Sequence, residues 1–287
     1  MVASFARSLS LPNARSKTTL HARSVSLPCQ PHPVTAQLQD HLQKLNTWVK
    51  NCSKSVSSLT DGLTSLKGLY DCFDDLLQLP QTQGALSHNI KWANALLEDL
   101  LKLLDSHSTF RAALLALNEQ QLGVQVALRR RDPSIRAKLG SFLRFRKKMT
   151  KEISVFLPVL ASIAQSTMPS TPEASSELFA ALRDIRTATV TVSGWLFLCL
   201  SLRQRPNSIS RLVCSRPLED GIGEVDSTDD VIRDLYRCQK LEEGLVQKAL
   251  KKLVVLEDCI SSLDKGSESV FRGLIQCRVL LLNVLTQ

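Results

Sequence analysis

The sequence predicts an all-α protein, an elongated helical bundle with long antiparallel coiled-coil-like helices. Three observations carry this. Apolar residues recur every three or four positions over long stretches, the spacing of one helix face. No segment shows the period-two alternation of a half-buried strand for long enough to count. Proline and short polar runs cut the chain into helix-sized pieces. With 287 residues, 44% hydrophobic and 22% charged, the chain can bury a core, which sets aside full disorder, collagen-like repeats and a multi-span membrane protein.

The first helix is read from Leu38, Leu42, Leu45, Val49, Cys52, Val56, Leu59, Leu63, Leu66, Tyr70, Phe73 and Leu77. It opens with Thr35 as N-cap, stops before Pro80 and would be about 65 Å long, weakened locally at Gly62 and Gly68. Helical spacing resumes from Gln83 to Arg131, with a phase slip near Ser106-His107-Ser108 that suggests two helices. A third run holds Ile135, Leu139, Phe142, Arg146, Met149, Ile153, Phe156, Leu160 and Ile163, with a kink at Pro158. Residues 166–176, which contain Pro169 and Pro172, read as a linker.

The following helix carries Leu178, Leu182, Ile185, Val192, Leu196 and Cys199. It absorbs the sixteen uncharged residues between Arg186 and Arg203, a run too short and too rich in hydroxyls to span a bilayer. Residues 204–226 read as loop. Ser227 and Asp230 resemble a capping box opening a helix from Val231 to Leu263, and a last helix covers Val270 to Val284. The predicted organisation is a disordered Ser/Arg-rich tail over 1–34 and a helical domain over 35–287.

Motifs for catalysis are absent. There is no Cys-x-x-Cys, His-x-x-x-His, Gly-x-Ser-x-Gly or Walker loop, and the five histidines are scattered. The N-terminus lacks the unbroken apolar core of a secretory signal, so the eight cysteines are expected as thiols in a reducing compartment. Cys52, Cys199, Cys238, Cys259 and Cys277 fall on apolar helix phases, the place of small hydrophobes. Asp74-Asp75 and Glu242-Glu243 are adjacent pairs that face different ways on a helix. The expectation is a protein that is not an enzyme and has no cofactor and no metal.

Charge is concentrated in two places. The tail repeats itself sixteen residues apart, as Ala6-Arg7-Ser8-Leu9-Ser10-Leu11-Pro12 and Ala22-Arg23-Ser24-Val25-Ser26-Leu27-Pro28. Each copy has the Arg-Ser-x-Ser-x-Pro form of the phosphoserine motif read by 14-3-3 proteins, with Arg7, Ser10 and Pro12 in one copy and Arg23, Ser26 and Pro28 in the other. Two linked sites would engage a dimeric reader with a gain in avidity. An acid-free, Arg- and Ser-rich N-terminus equally fits a transit peptide, or an inert tail.

The second concentration is a run from Arg129 to Lys151 with ten basic residues against Asp132. Arg129, Arg130, Arg131, Arg144, Arg146, Lys147, Lys148 and Lys151 would form a basic surface. It reads as a solvated face, as a helix lying on an anionic membrane, or as a bipartite nuclear import signal. Nucleic acid is the weakest partner, because Phe142 and Phe145 match no stacking motif. The expected location is cytoplasmic and membrane-peripheral, with plastid or nucleus as alternatives, and heptads leave the oligomeric state open.

Several stretches resemble the plant BYPASS-related family: Arg23 to Pro28 followed by His32-Pro33, the run Gly68-Leu69-Tyr70-Asp71-Cys72-Phe73-Asp74-Asp75-Leu76-Leu77-Gln78-Leu79-Pro80, and Leu86-Ser87-His88. So do Ala127-Leu128-Arg129-Arg130-Arg131, Arg146-Lys147-Lys148 with Lys151-Glu152-Ile153, and the ending from Phe271-Arg272-Gly273 to Leu281-Leu282-Asn283-Val284-Leu285. Cys29-Gln30-Pro31 and residues 204–226 depart from the family pattern. The resemblance implies a largely helical plant protein without known enzymatic activity. It also implies a link to root and shoot development through restraint of a mobile root-derived signal, and it supplies no catalytic residues.

Overall fold

The computed structural model describes residues 33–53, 55–169, 177–201, 223–238 and 240–286. Helix accounts for 92% of them, with no strand among the described residues. The repeat-bearing tail, with Arg7, Ser10, Pro12, Arg23, Ser26 and Pro28, lies outside the described residues, as do most of both predicted linkers.

In chain order the helices are α1 (Pro33–Asn51), α2 (Val56–Gln78), α3 (Pro80–His88), α4 (Ile90–Arg130), α5 (Ile135–Ser154), α6 (Phe156–Gln165), α7 (Glu177–Leu200), α8 (Gly223–Arg237) and α9 (Glu243–Thr286). The single long helix expected from Leu38 to Leu77 is therefore a hairpin. Small hydroxyl side chains compete for the backbone at its break: Ser55 caps α2 by accepting the Ser58 N–H at 3.2 Å, and Trp48 Nε1 of α1 donates to the Ser58 carbonyl at 2.7 Å. The apolar spacing continues across the turn because both helices face the same core. Gly62 and Gly68 are the contact points of this hairpin, since a β-carbon there would fall 2.4 Å from the Trp48 ring and 2.6 Å from the His41 ring.

The predicted break at 106–108 is absent. Helix α4 runs straight through, and the phase slips because Ser106 and His107 turn inward to fully buried positions. The real interruption is at Asn89, whose side chain donates to the Ala85 carbonyl at 2.9 Å. Pro158 acts one turn upstream of itself: its ring excludes the carbonyl of Ser154, and the helix ends there, with Val155 as the joint. The capping box at Ser227 is not formed. Helix α8 starts at Gly223, and the Ser227 and Thr228 hydroxyls both donate to the Glu224 carbonyl. The helix expected over 231–263 divides between α8 and α9, whereas the two predicted C-terminal pieces fuse into the 44 residues of α9.

Long helices pack side by side. Arg111 meets Asp264 at 3.1 Å and Arg131 meets Glu243 at 2.7 Å, so α4 and α9 run antiparallel. Leu63 and Tyr70 of α2 sit against Gly266 and Gly273, so α2 and α9 run parallel, in contacts that a β-carbon on either glycine would crowd to 2.8–2.9 Å. Helix α7 packs against α4 and α1, with Trp92 on Phe179 at 4.9 Å, Phe110 on Phe197 at 5.1 Å and Trp48 on Trp195 at 6.3 Å. That burial explains its uncharged run: Trp195, Leu196, Phe197, Cys199 and Leu200 are all core residues. Helix α5 pairs with α4 through Ser141 and Gln120 and with α8 through Arg146 and Asp229.

Candidate functional site

Buried polar groups are where a helical bundle could hide chemistry, because each must be satisfied by a partner to be tolerated. Arg146 occupies the apolar phase of α5 and is 1% exposed. Its Nε lies 3.0 Å from both oxygens of Asp229, Nη2 pairs with Oδ2 at 2.9 Å, and Nη1 donates to the Leu200 carbonyl at 3.1 Å. Arg146 is thus removed from the predicted basic surface. It ties α5 to α8 and occupies the carbonyl end of α7. Arg186 of α7 plays the matching part elsewhere: Nε donates to Asp99 of α4 at 2.7 Å, and Nη2 reaches the Ile163 carbonyl and Ser166 at the end of α6. In both pairs a buried guanidinium joins a carboxylate on one helix to the exposed backbone carbonyls ending another.

A third polar cluster lies between α4, α7 and α9. His107 Nε2 is 2.9 Å from Ser193 Oγ, and its Nδ1 is 3.4 Å from Ser267 Oγ. Burial alone lowers the His107 pKa to about 4, so the imidazole is neutral at pH 7. Histidine beside serine suggests acyl transfer, but all three side chains are fully buried and, among the described residues, no carboxylate is hydrogen-bonded to the imidazole. Tyr70 is likewise enclosed, bonded to Thr189 at 2.9 Å, with its pKa pushed up by burial.

Burial works against activation of four thiols. Burial raises Cys52, Cys72 and Cys277, and Cys259 is pushed up to about 11. A nucleophilic cysteine needs the opposite shift. Cys199, Cys259 and Cys277 are core residues as their phase predicts; Cys72 is buried too, whereas Cys52 and Cys238 are half-buried. Asp74, raised by partial burial and by Asp75, accepts from Gln78, while Asp75 points to solvent. No group of three metal-ligating side chains occurs among the described residues.

The outside is different. The apolar face of α5, formed by Ile135, Leu139, Phe142, Met149 and Ile153, is spent on the core, the opposite face carries Arg144, Lys147, Lys148 and Lys151 in exposed positions, and Arg136 and Lys138 stand exposed at its flanks. Arg129, Arg130 and Arg131 continue it onto the end of α4. Lys148 pairs with Glu152 at 3.4 Å and Arg131 with Glu243. Among the described residues no carboxylate lies within ion-pair distance of Arg129, Arg130, Arg144, Lys147 or Lys151. Of the predicted basic surface, Arg129, Arg130, Arg131, Arg144, Lys147, Lys148 and Lys151 are exposed and Arg146 is buried.

A family model described as Protein BPS1 matches residues 62–284, from the second turn of α2 to the end of α9. The chain belongs to the BPS1 family. This makes it a plant BYPASS-related protein, of a family that is not a known enzyme family. The match spans both buried ion pairs, the His107 cluster and the cationic face. No curated protein and no solved structure matches the chain. Among the described residues one helix, Glu243–Thr286, is long and apolar enough to cross a membrane. Its apolar character includes Ile275, Val279 and Leu282, which stand exposed beside the core positions Leu274, Cys277 and Leu281.

Sequence reasoning missed Asp99, Asp229 and Arg186. One signal was available: Arg146 stands in an otherwise apolar heptad run, and a cation at a core position requires a buried acid.

Proposed function

We propose that this protein is a non-enzymatic helical interaction protein that docks on an anionic membrane surface through the cationic face of α5. The observation that supports the reading is a local concentration of charge: Arg146, Arg186 and His107 are each hydrogen-bonded inside the core, while Arg144, Lys147, Lys148 and Lys151 stand exposed together on α5. Because the apolar side of α5 is buried, docking works by charge rather than by insertion of an amphipathic helix. Each cation near an acidic leaflet contributes about 1 kcal/mol. Replacing Arg144, Lys147, Lys148 and Lys151 together by Glu should lower partitioning onto vesicles of mixed phosphatidylcholine and phosphatidylserine by at least about 100-fold. The circular dichroism spectrum should not change. Wild-type binding should also weaken steeply with salt. Equal partitioning of wild type and variant would overturn the reading.

The duplicated tail motif supports a second interaction, in which phosphate on Ser10 and Ser26 recruits a dimeric 14-3-3 reader to the docked scaffold. The expected result is a tail isolated from plant tissue that is intact and carries phosphate at either serine, read by intact-mass and phosphopeptide spectra. A tail cut within its first thirty or so residues would mean a transit peptide and would remove this interaction. Family membership makes restraint of a mobile root-derived signal in root and shoot development the biological setting we propose for the scaffold.

A further inference from the structure

Of the thirteen large apolar side chains that stand exposed among the described residues, ten lie on α4 and α9, so exposed apolar surface is concentrated on this antiparallel pair. The most apolar stretch of α9 has a mean hydropathy of 1.3, yet only 28% of it is buried. Charge enters midway along the pair, where Arg111 meets Asp264 at 3.1 Å and Glu268 at 3.5 Å and lies over the Phe271 ring.

Six of the ten side chains are placed symmetrically about that ion pair. Counted from Arg111 on α4, Leu101 lies ten residues before, and Leu122 and Val126 lie eleven and fifteen after. Counted from Asp264 on α9, Val254, Ile275 and Val279 hold the same three places. At 3.6 residues per turn these offsets bring each trio to one side of its helix, within about 80° of the ion pair. Each of the six is between 38% and 45% exposed. Because the helices run antiparallel, equal offsets put Leu122 about level with Val254 and Leu101 about level with Ile275. The strip therefore has a local two-fold axis through Arg111 and Asp264.

An apolar strip of this extent marks an interface. From Leu101 to Val126 it is about 38 Å long, and two helices side by side make it about 18 Å wide. Two copies placed face to face would bury about 1,400 Å² in total, within the range of stable dimers. Lipid suits the strip poorly. Its centre sets one cation against two acids, which gives an acidic leaflet nothing to hold, and burial in hydrocarbon would strand the ion pair. A second copy accommodates those charges. With the dimer axis parallel to the helices, α4 of one copy lies antiparallel on α9 of the other, and Arg111 faces Asp264 of the partner subunit. The four helices then form a bundle in which every neighbour runs antiparallel. With the axis across the helices, Arg111 would face its own equivalent, like charge on like.

The geometry points to a homodimer in which the outer face of α4 and α9 packs on the same face of a second copy, α4 against α9. This surface lies apart from the cationic face of α5 and does not rest on the membrane reading.

Sedimentation velocity of the full-length protein at about 20 μM should give twice the 31.8 kDa chain mass. Leu122→Lys and Val254→Glu should each weaken association at least about 100-fold and leave monomer, with an unchanged circular dichroism spectrum because both positions are exposed. Ile275→Lys should do the same from the other half of the strip. Mixed in equal amounts, Leu122→Lys and Val254→Glu should recover the dimer: the introduced lysine of one chain meets the introduced glutamate of the other, and the second contact keeps Leu122 on Val254 of the partner subunit. Pairing of α4 with α4 would set Leu122 on Leu101 of the partner subunit and give no such rescue. The proposal is overturned if the wild type stays monomeric, if the single variants stay dimeric, or if the mixture stays monomeric. A monomeric wild type that binds uncharged phosphatidylcholine vesicles, and loses them on Leu122→Lys, would give the face to lipid and overturn it as well. Replacing the four α5 cations by Glu should leave the dimer intact, so this interface and the membrane reading fail separately.

Discussion

Replacing Asp229 by Ala should destabilise the protein by about 3–5 kcal/mol, the usual consequence of leaving one member of a buried ion pair without its partner. Asp229 is 3% exposed and Arg146 is 1% exposed, and the guanidinium has no route to water short of opening α5 from α8. The Leu200 carbonyl would remain as a partner, but a neutral acceptor does not balance a desolvated charge. Urea unfolding at pH 7 measures the effect, and a loss below about 1 kcal/mol would mean that the pair does not carry its charge in the core. The double replacement Arg146→Met with Asp229→Leu separates unpaired charge from lost packing. It removes both charges while keeping comparable volume, and should recover most of the stability, as apolar replacements of buried pairs commonly do. What the double variant would not recover is the link to the end of α7. The distinctive effect of the native pair is therefore register: it fixes α5, α7 and α8 relative to one another through one side chain.

That pair also marks the boundary of what the sequence made legible. The helical class follows from apolar spacing, and the burial of Leu59, Leu63, Leu66, Tyr70 and Phe73 follows from their phase. Helix ends are different, because spacing does not report direction. The heptad rhythm passes unbroken through 51–56 although the chain reverses there, and only Ser55 and the glycines facing Trp48 and His41 record the turn. At 106–108 the error runs the other way. A polar interruption of the apolar phase looks like a break when buried partners from two distant helices, Ser193 and Ser267, are invisible in one dimension. The basic run was legible as composition but not as a face. Of its charges the structure turns Arg146 inward and leaves Arg144, Lys147, Lys148 and Lys151 outside, a sorting that helical phase alone would have given had the cation at the core position been taken at face value.

His107 should make the protein sensitive to mild acid. Its pKa is about 4 in the folded protein, lowered by burial, against about 6.5 in an unfolded chain. Above pH 6.5 the imidazole is neutral in both states and its contribution to stability does not change. As pH falls from 6.5 towards 4 the unfolded chain takes up a proton that the folded protein refuses. Stability is lost across that window, by about 3 kcal/mol in full, and the loss levels off once the folded form is protonated as well. The neutral ring suits its site because one nitrogen donates and the other accepts, and the Ser193 and Ser267 hydroxyls can answer both. His107→Gln keeps a donor and an acceptor but does not titrate. The variant should be less stable than wild type at pH 7.5, and the gap should narrow by roughly 2–3 kcal/mol at pH 4.5. Carboxylates that titrate over the same range do so in both proteins and cancel in the difference. A gap that stays constant from pH 7.5 to 4.5 would show that the imidazole reaches protons in the folded state, and so that the junction of α4, α7 and α9 opens to water.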